Sequence, residues 1–246
     1  MSPENFLLFA LSPESRKFLV SRSTPVALPL RKVLYVANET PTHAYFPTSG
    51  LASIVTSMVD GATAEVNFVG REGVVGAFHL LGPAEVPTNC FVQMEGAALK
   101  ISIVDLKMAF EESEEIRQRI LENVQEQALT VAQIAACNRL HESQERLARW
   151  LLMAQDCTQS DVLNITQEFL AEMLGSRRTT VTVVAGALQR SGYIEYRRGH
   201  IKILDRKRLE TAACDCYRVI KHLYDSLYKD VAGAALRNGA LRNGAH

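Results

Sequence analysis

The chain has no long apolar run. No stretch reaches the ~20 apolar residues that a membrane-spanning helix needs. Near the N-terminus stand Glu4 and Glu14, where an export signal would be basic and then apolar. A phosphate loop is missing too, because Gly70-Arg71-Glu72-Gly73 lacks both the lysine and the helix signal that should follow. No Ser/His/Asp grouping and no run of metal ligands stands out, so no enzyme activity, metal or cofactor is expected. Cysteines number five (Cys90, Cys137, Cys157, Cys214 and Cys216). The odd count and irregular spacing give no disulfide framework, and a reducing cytoplasm is the expected location.

What remains is a soluble globular composition. The 246 residues are 47% hydrophobic and 22% charged, enough for two domains with a sizeable core. Net charge is zero, but it is unevenly spread. Residues 162–208 hold nine Lys/Arg against four Asp/Glu, whereas residues 1–110 hold eight against nine. The basic excess is a mild footprint for nucleic acid.

That basic segment contains residues 165–190, which read as two short helices and a tight turn. Gln167, Ala171 and Gly175 fall at four-residue steps, with Ala171 small enough for a second helix to cross closely. Gly175 can take the left-handed conformation that ends a helix. A second helix is predicted to start near Ser176, with Val181, Val184, Ala185 and Leu188 as its inward stripe. Arg177, Arg178, Thr179, Thr182 and Val183 then occupy the exposed face and N-terminal end, an arrangement that suits a DNA major groove. Spacing alone also allows an ordinary helical hairpin with a solvated basic end.

The flanking sequence bears on that choice. Residues 5–11 and 13–21 read as small helices, with Pro3 and Pro13 where helices can start. Residues 33–36, 43–46, 51–59, 64–69, 90–94 and 97–103 are candidate strands separated by turns. Asp60-Gly61 is a hairpin signal. Many short strands point to a sandwich or small barrel. Residues 105–110 form a short helix, and residues 114–140 a long one of roughly 40 Å. Leu121, Val124, Ala128, Val131, Ala135 and Asn138 follow alternating three- and four-residue steps. That pattern allows a helix lying on its own domain but favours, through the small Ala128 and Ala135 and the polar Asn138, the seam of a self-pairing helix and hence a two-fold dimer. A helix is also expected over 141–157 and a loop over 158–161. Strands over 193–196 and 200–204 frame Arg197-Arg198-Gly199, a basic hairpin that reads as a wing near the phosphate backbone. One last helix over 207–228 follows, then a disordered Gly- and Asn-rich tail.

In this order the parts resemble the Crp/Fnr family of bacterial transcription regulators over roughly residues 5–205. The strongest stretches are Asn138 to Leu152 (NRLHESQERLARWLL) and the helix-turn-helix with its GYIEYRRGHIKI extension. The resemblance implies an α+β chain. Residues 1–112 would be a cyclic-nucleotide-binding-like, jelly-roll-like double-stranded β-roll sensor and 113–140 the dimerisation helix. Residues 141–230 would be a winged helix-turn-helix and 231–246 the disordered tail. Its implied partners are inverted-repeat double-stranded DNA, a second copy of the chain and, for an activator, RNA polymerase, with no membrane.

The recognition helix of the family is similar to G-x-S-R-E-T-V-G-R. Here Arg178 matches the arginine that reads guanine through O6 and N7. Thr180 matches a phosphate-contacting threonine and Val181 a core valine. Arg177, Thr179 and Val183 depart from the pattern, so the half-site sequence need not be that of better-known members. In the sensor, cyclic-nucleotide-binding members carry a Gly-Glu pair followed by Arg-Ser, the arginine holding the phosphate. This chain has Gly76 with Ala77, then Thr88-Asn89, and Val131 where such members present polar residues to the base. A degenerate pocket without cyclic nucleotide is expected. Iron–sulfur members carry an N-terminal cysteine cluster, which is missing before Cys90. His43 and His79 leave a haem sensor open, and a sensor whose output is a protein partner is the other alternative. Cys214 and Cys216, placed on one helix, would point roughly 200° apart, poor geometry for a shared metal. Cys137 reads as a small apolar residue.

Overall fold

The computed structural model describes residues 5–82, 85–197 and 199–228. The expected disordered tail lies outside these residues.

Two short helices lead in, α1 (Phe6–Phe9) and α2 (Pro13–Ser21), and Asn5 and Ser12 cap them through their side chains. Five strands follow: β1 (Thr24–Leu28), β2 (Val33–Tyr35), β3 (His43–Ser57), β4 (Thr63–Val69) and β5 (Thr88–Ser102). They form one antiparallel sheet in the order β1-β5-β3-β4, with β2 also on β5. The sheet curls because its two 15-residue strands, β3 and β5, are bulged.

These long strands correct the expectation of many short ones. The stretch from Pro47 to Gly50 reads as a turn in sequence, yet it is a bulged bend inside β3. Gly50 has φ +78°, and a Cβ there would lie 2.5 Å from the Met94 carbonyl oxygen. Across from it, a Cβ on Gly96 would lie 2.2 Å from the Ser49 carbonyl oxygen. Two glycines let the backbones cross at a distance no side chain permits.

Helix α3 (Ile103–Glu112) leads into α4 (Glu114–Leu140), whose start is fixed by the Ser113 hydroxyl accepting the Ile116 N–H. Glu114 and Glu115 in the first turn and Arg139 in the last suit the helix dipole. One face of α4 is buried against its own chain through Ile116, Ile120, Asn123, Gln127, Thr130, Ile134 and Cys137. Ile116 and Ile120 join Leu7, Leu8, Leu19, Phe46, Ile101 and Leu106 in a core beneath the sheet.

The C-terminal part has α5 (Ser143–Thr158), β6 (Val162–Asn164), α6 (Gln167–Leu174), α7 (Arg178–Arg190), β7 (Ile194–Arg197), β8 (His200–Ile203), α8 (Arg206–Ala212) and α9 (Cys216–Leu227). Strand β6 follows the expected loop and pairs with β8, making the wing a three-stranded sheet in the order β6-β8-β7. The single helix expected over 207–228 is two, because Ala213 takes an extended conformation (φ −81°, ψ 149°) that ends α8. The largest core lies here, around Leu147, Leu151, Leu170, Val181, Leu188 and Ile201. It runs on into Leu51 and Phe68 of the large sheet.

Candidate nucleic-acid interface

Thr166 starts α6 by accepting the Phe169 N–H at 3.3 Å. Leu170, Met173 and Leu174 are buried. Gly175, with φ +54°, stops the helix, and the Ser176 N–H reaches back to the Ala171 carbonyl at 2.9 Å. The next helix begins at Arg178, two residues beyond Ser176, because Arg177 holds an extended cap conformation (φ −72°, ψ 147°).

On α7, Val181, Ala185 and Leu188 are buried and Val184 is half-buried, as the inward stripe requires. The opposite face is open. Arg177, Arg178, Thr179, Thr182 and Val183 are exposed, and Thr180 is half-buried. Arg178 reaches back to α6, where its Nη1 meets Glu168 Oε1 at 2.7 Å. The Thr182 hydroxyl lies 3.4 Å from Gln167 Oε1, so Gln167 and Thr182 border the same surface. The apolar Val183 is 66% exposed on this face.

In the wing, Arg197 ends β7, exposed and ion-paired with Glu195 at 2.7 Å. Arg198 lies outside the described residues. His200 opens β8 with its Nδ1 2.7 Å from Asn164 Oδ1 on β6.

On α4 the sequence seam lies one residue on from the buried face. Leu121, Ala128, Ala135 and Asn138 are exposed, and Val124 and Val131 half-buried.

Gly76, Ala77, Thr88, Asn89 and Val131 do not line the 150 Å³ cavity described below. Gly76, with φ +97°, precedes a 3-10 turn (Ala77–Leu80). Ala77 is buried among Leu7, Leu8, Phe46 and Ile101. Thr88 and Asn89 begin β5 and serve their own chain. The Thr88 hydroxyl lies 3.3 Å from the Tyr35 hydroxyl, and Asn89 Oδ1 accepts the Ala37 N–H at 2.9 Å. His79 is buried with its ring edge-on to Tyr35 at 5.0 Å. His43 lies at the sheet edge, its Nδ1 2.8 Å from the Thr42 hydroxyl.

A cavity of about 150 Å³ lies elsewhere, between β4, α4, α5 and α9. Its lining includes Glu72, Glu126, Asp156 and Lys221. Burial pushes the Glu126 carboxyl up to about 7 and raises Glu72 as well. Carboxyl groups outnumbering the ammonium suit an anionic phosphate poorly. Sequence reasoning missed this cavity because its walls come from four separate elements.

Cys214 and Cys216 also need correction. Cys214 lies in the break between α8 and α9, and Cys216 is the first residue of α9. Helical spacing does not govern them. Both thiols are buried beside Cys137, which therefore has polar company that a plain apolar residue would lack.

Comparison with known proteins agrees with this architecture. Residues 25–113 match the family model of the cyclic nucleotide-binding domain, and residues 145–212 match that of the Crp-like helix-turn-helix domain. A protein assigned to the Crp/Fnr family from Eubacterium rectale superposes with a TM-score of 0.66 at 20% identity, covering 85% of this chain and 99% of that one. The c-di-GMP responsive global regulator CLP of Xanthomonas campestris gives 0.64 at 17% identity, covering 79% and 100%. A transcriptional regulator of the CRP family from Thermus thermophilus, TTHB099, gives 0.64 at 22%, covering 76% and 96%. No curated protein matches by sequence. With a cyclic-nucleotide-binding-type domain ahead of a Crp-like helix-turn-helix in one continuous fold, the chain belongs to the Crp/Fnr family of DNA-binding transcription regulators.

Proposed function

We propose that the chain works as a two-fold homodimer, each subunit setting α7 into a DNA major groove at one half of an inverted-repeat operator. The observation that carries this is the two-faced character of α7. Val181, Ala185 and Leu188 anchor it, while Arg177, Arg178, Thr179, Thr182 and Val183 face outward. Arg178 is the base reader and Thr180 a phosphate contact, with Gln167 at the border. Arg197 and Arg198 in the wing act on the backbone. Half-sites lie about one helical turn apart.

Dimerisation uses the open face of α4 through Leu121, Val124, Ala128, Val131, Ala135 and Asn138. Leu121 is 43% exposed in the single chain, and the small residues Ala128 and Ala135 let a second helix approach. Residues 1–112 serve as sensor, 113–140 as dimer helix and 141–230 as DNA-binding unit. A signal at the sensor shifts how the α4 helices pair and so moves the two α7 helices relative to the operator. Cyclic nucleotide is not that signal, since Ala77, Thr88 and Asn89 offer no charged partner for its phosphate. The protein acts in the cytoplasm without enzymatic chemistry, and as an activator it contacts RNA polymerase.

The test is a gel shift with the DNA upstream of the protein's own gene, run beside sedimentation analysis. Salt-sensitive, sequence-selective binding by a dimer is expected. A monomer, or equal affinity for scrambled DNA, refutes the reading.

A further inference from the structure

Four metal-ligating side chains converge where α4 meets α9. Cys137 lies in the last turn of α4 and His141 just beyond its end. From the other side come Cys214, in the break between α8 and α9, and Cys216, at the start of α9. Their ligand atoms all lie within 4.8 Å of one another. Cys137 Sγ is 3.4 Å from Cys214 Sγ, and Cys216 Sγ is 3.4 Å from His141 Nδ1. A tetrahedral zinc ion with bonds near 2.3 Å to sulfur spaces its ligands roughly 3.8 Å apart. The observed gaps bracket that value.

The surroundings fit a bound ion. His141 Nε2 faces Asp215 Oδ1 at 3.5 Å, which leaves Nδ1 for a metal in the carboxylate–histidine arrangement common at such sites. Gln133 Nε2 donates to Cys216 Sγ at 3.1 Å. The three thiols are buried as a cluster of their own, apart from the aliphatic cores. Arg149 acts electrostatically on Cys137 and Cys214, so one excess negative charge is offset.

The donor set selects the ion. Three thiolates and one imidazole favour a thiophilic divalent metal over magnesium or calcium. Donors this close surround one ion and leave no room for a cluster of several irons. Four protein ligands also fill the tetrahedral shell, as in structural and not catalytic sites.

We propose that Cys137, His141, Cys214 and Cys216 bind one zinc ion, which fastens the end of α4 to the start of α9. Loading exchanges three thiol protons for one dication, and His141 binds as the neutral imidazole. The ion thereby ties the long helix to the last helix of the DNA-binding part. It does so whether or not α4 also pairs with a second copy.

The experiment uses the full chain purified under reducing conditions. Elemental analysis should find one zinc per chain. After removal by a chelator, cobalt(II) should refill the site at one equivalent. Its spectrum should show the ligand-field bands of a tetrahedral ion and thiolate-to-metal charge transfer. Cys214→Ser and His141→Ala should weaken cobalt binding at least about tenfold, and Cys157→Ser should not. Should a variant fail to fold, the wild-type titration decides alone. Zinc-free protein whose cobalt titration gives only the octahedral aqueous spectrum overturns the proposal. So does an unchanged cobalt spectrum in Cys214→Ser, or a Cys137–Cys214 disulfide in the protein as purified under reducing conditions.

Discussion

Arg178 Nη1 lies 2.7 Å from Glu168 Oε1, an ion pair that crosses the turn between α6 and α7. The two side chains are 62% and 61% exposed, so the pair adds little to stability. Its effect is on position and on charge. A carboxylate holds the guanidinium at the outward end of α7 and also sets a negative charge on the face proposed to meet DNA. Arg178→Ala should cost about 1–3 kcal/mol of operator affinity and relax specificity at one base pair. Glu168→Gln should tighten binding to unrelated DNA while lowering discrimination. Competition gel shifts read both, and a mutant Arg178→Ala as selective as wild type would remove the base-reading role.

Arg197 in the wing is 82% exposed, and among the described residues its ion-pair partner is Glu195. Arg197→Ala should weaken binding evenly across sequences and reduce the salt slope by about 1. Affinity measured over a series of salt concentrations checks this. An unchanged slope takes Arg197 out of the phosphate contacts.

Gly175 has φ +54°, with no atom within 4 Å of where a Cβ would stand. Substitution there strains the backbone without causing a clash. Gly175→Ala should destabilise by about 1–2 kcal/mol, the cost of a left-handed L-residue. Thermal unfolding measures it. A neutral result would show that the turn can be redrawn.

Glu65 is buried and its carboxyl is pushed up to about 7, chiefly by desolvation, against the pull of the Ser53 and Trp150 hydrogen bonds. In the unfolded chain it titrates near 4.5. Between those values the folded protein binds the proton that the unfolded one has lost, so stability falls as pH rises through that window. Glu126, also raised to about 7, acts with the same sign. Denaturant midpoints should drop from about pH 5 to about pH 8, and Glu65→Gln should flatten the slope in part. A midpoint that instead climbs over that interval contradicts the burial argument.

Ala77 is packed in the core and Asn89 is spent on the Ala37 amide. Calorimetry should therefore detect no micromolar binding of cyclic AMP. Ala77→Glu alone should not create it, because Thr88 and Asn89 still lack a guanidinium. Binding to wild type at that level overturns the degenerate-pocket argument.

Features governed by short-range chemistry were legible in the chain. The periodicity over 114–140 matched the full span of α4, Glu114–Leu140. Gly175 marked the turn between α6 and α7 and Val181, Ala185 and Leu188 the buried face. Bulges were not legible, because Pro47 and Gly50 give the same local signal whether a strand bends or ends. Strand β6 was invisible, since three residues carry too little pattern and gain their place only by pairing with β8. The cysteine–histidine cluster joins Cys137 to Cys214, 77 positions apart, and the cavity joins Phe68 to Tyr224. Spacing along one element says nothing about such encounters.

Trp150 donates its indole N–H to Glu65 at 2.8 Å and meets the Phe68 ring edge-on at 5.9 Å. It is the chain's only tryptophan. The protein consequently carries its own optical gauge at the seam between the large sheet and α5. Emission excited through the indole comes from that seam alone. Any signal that slides α5 from the sheet, or that ionises Glu65, will be written directly in its colour and intensity, with no label attached.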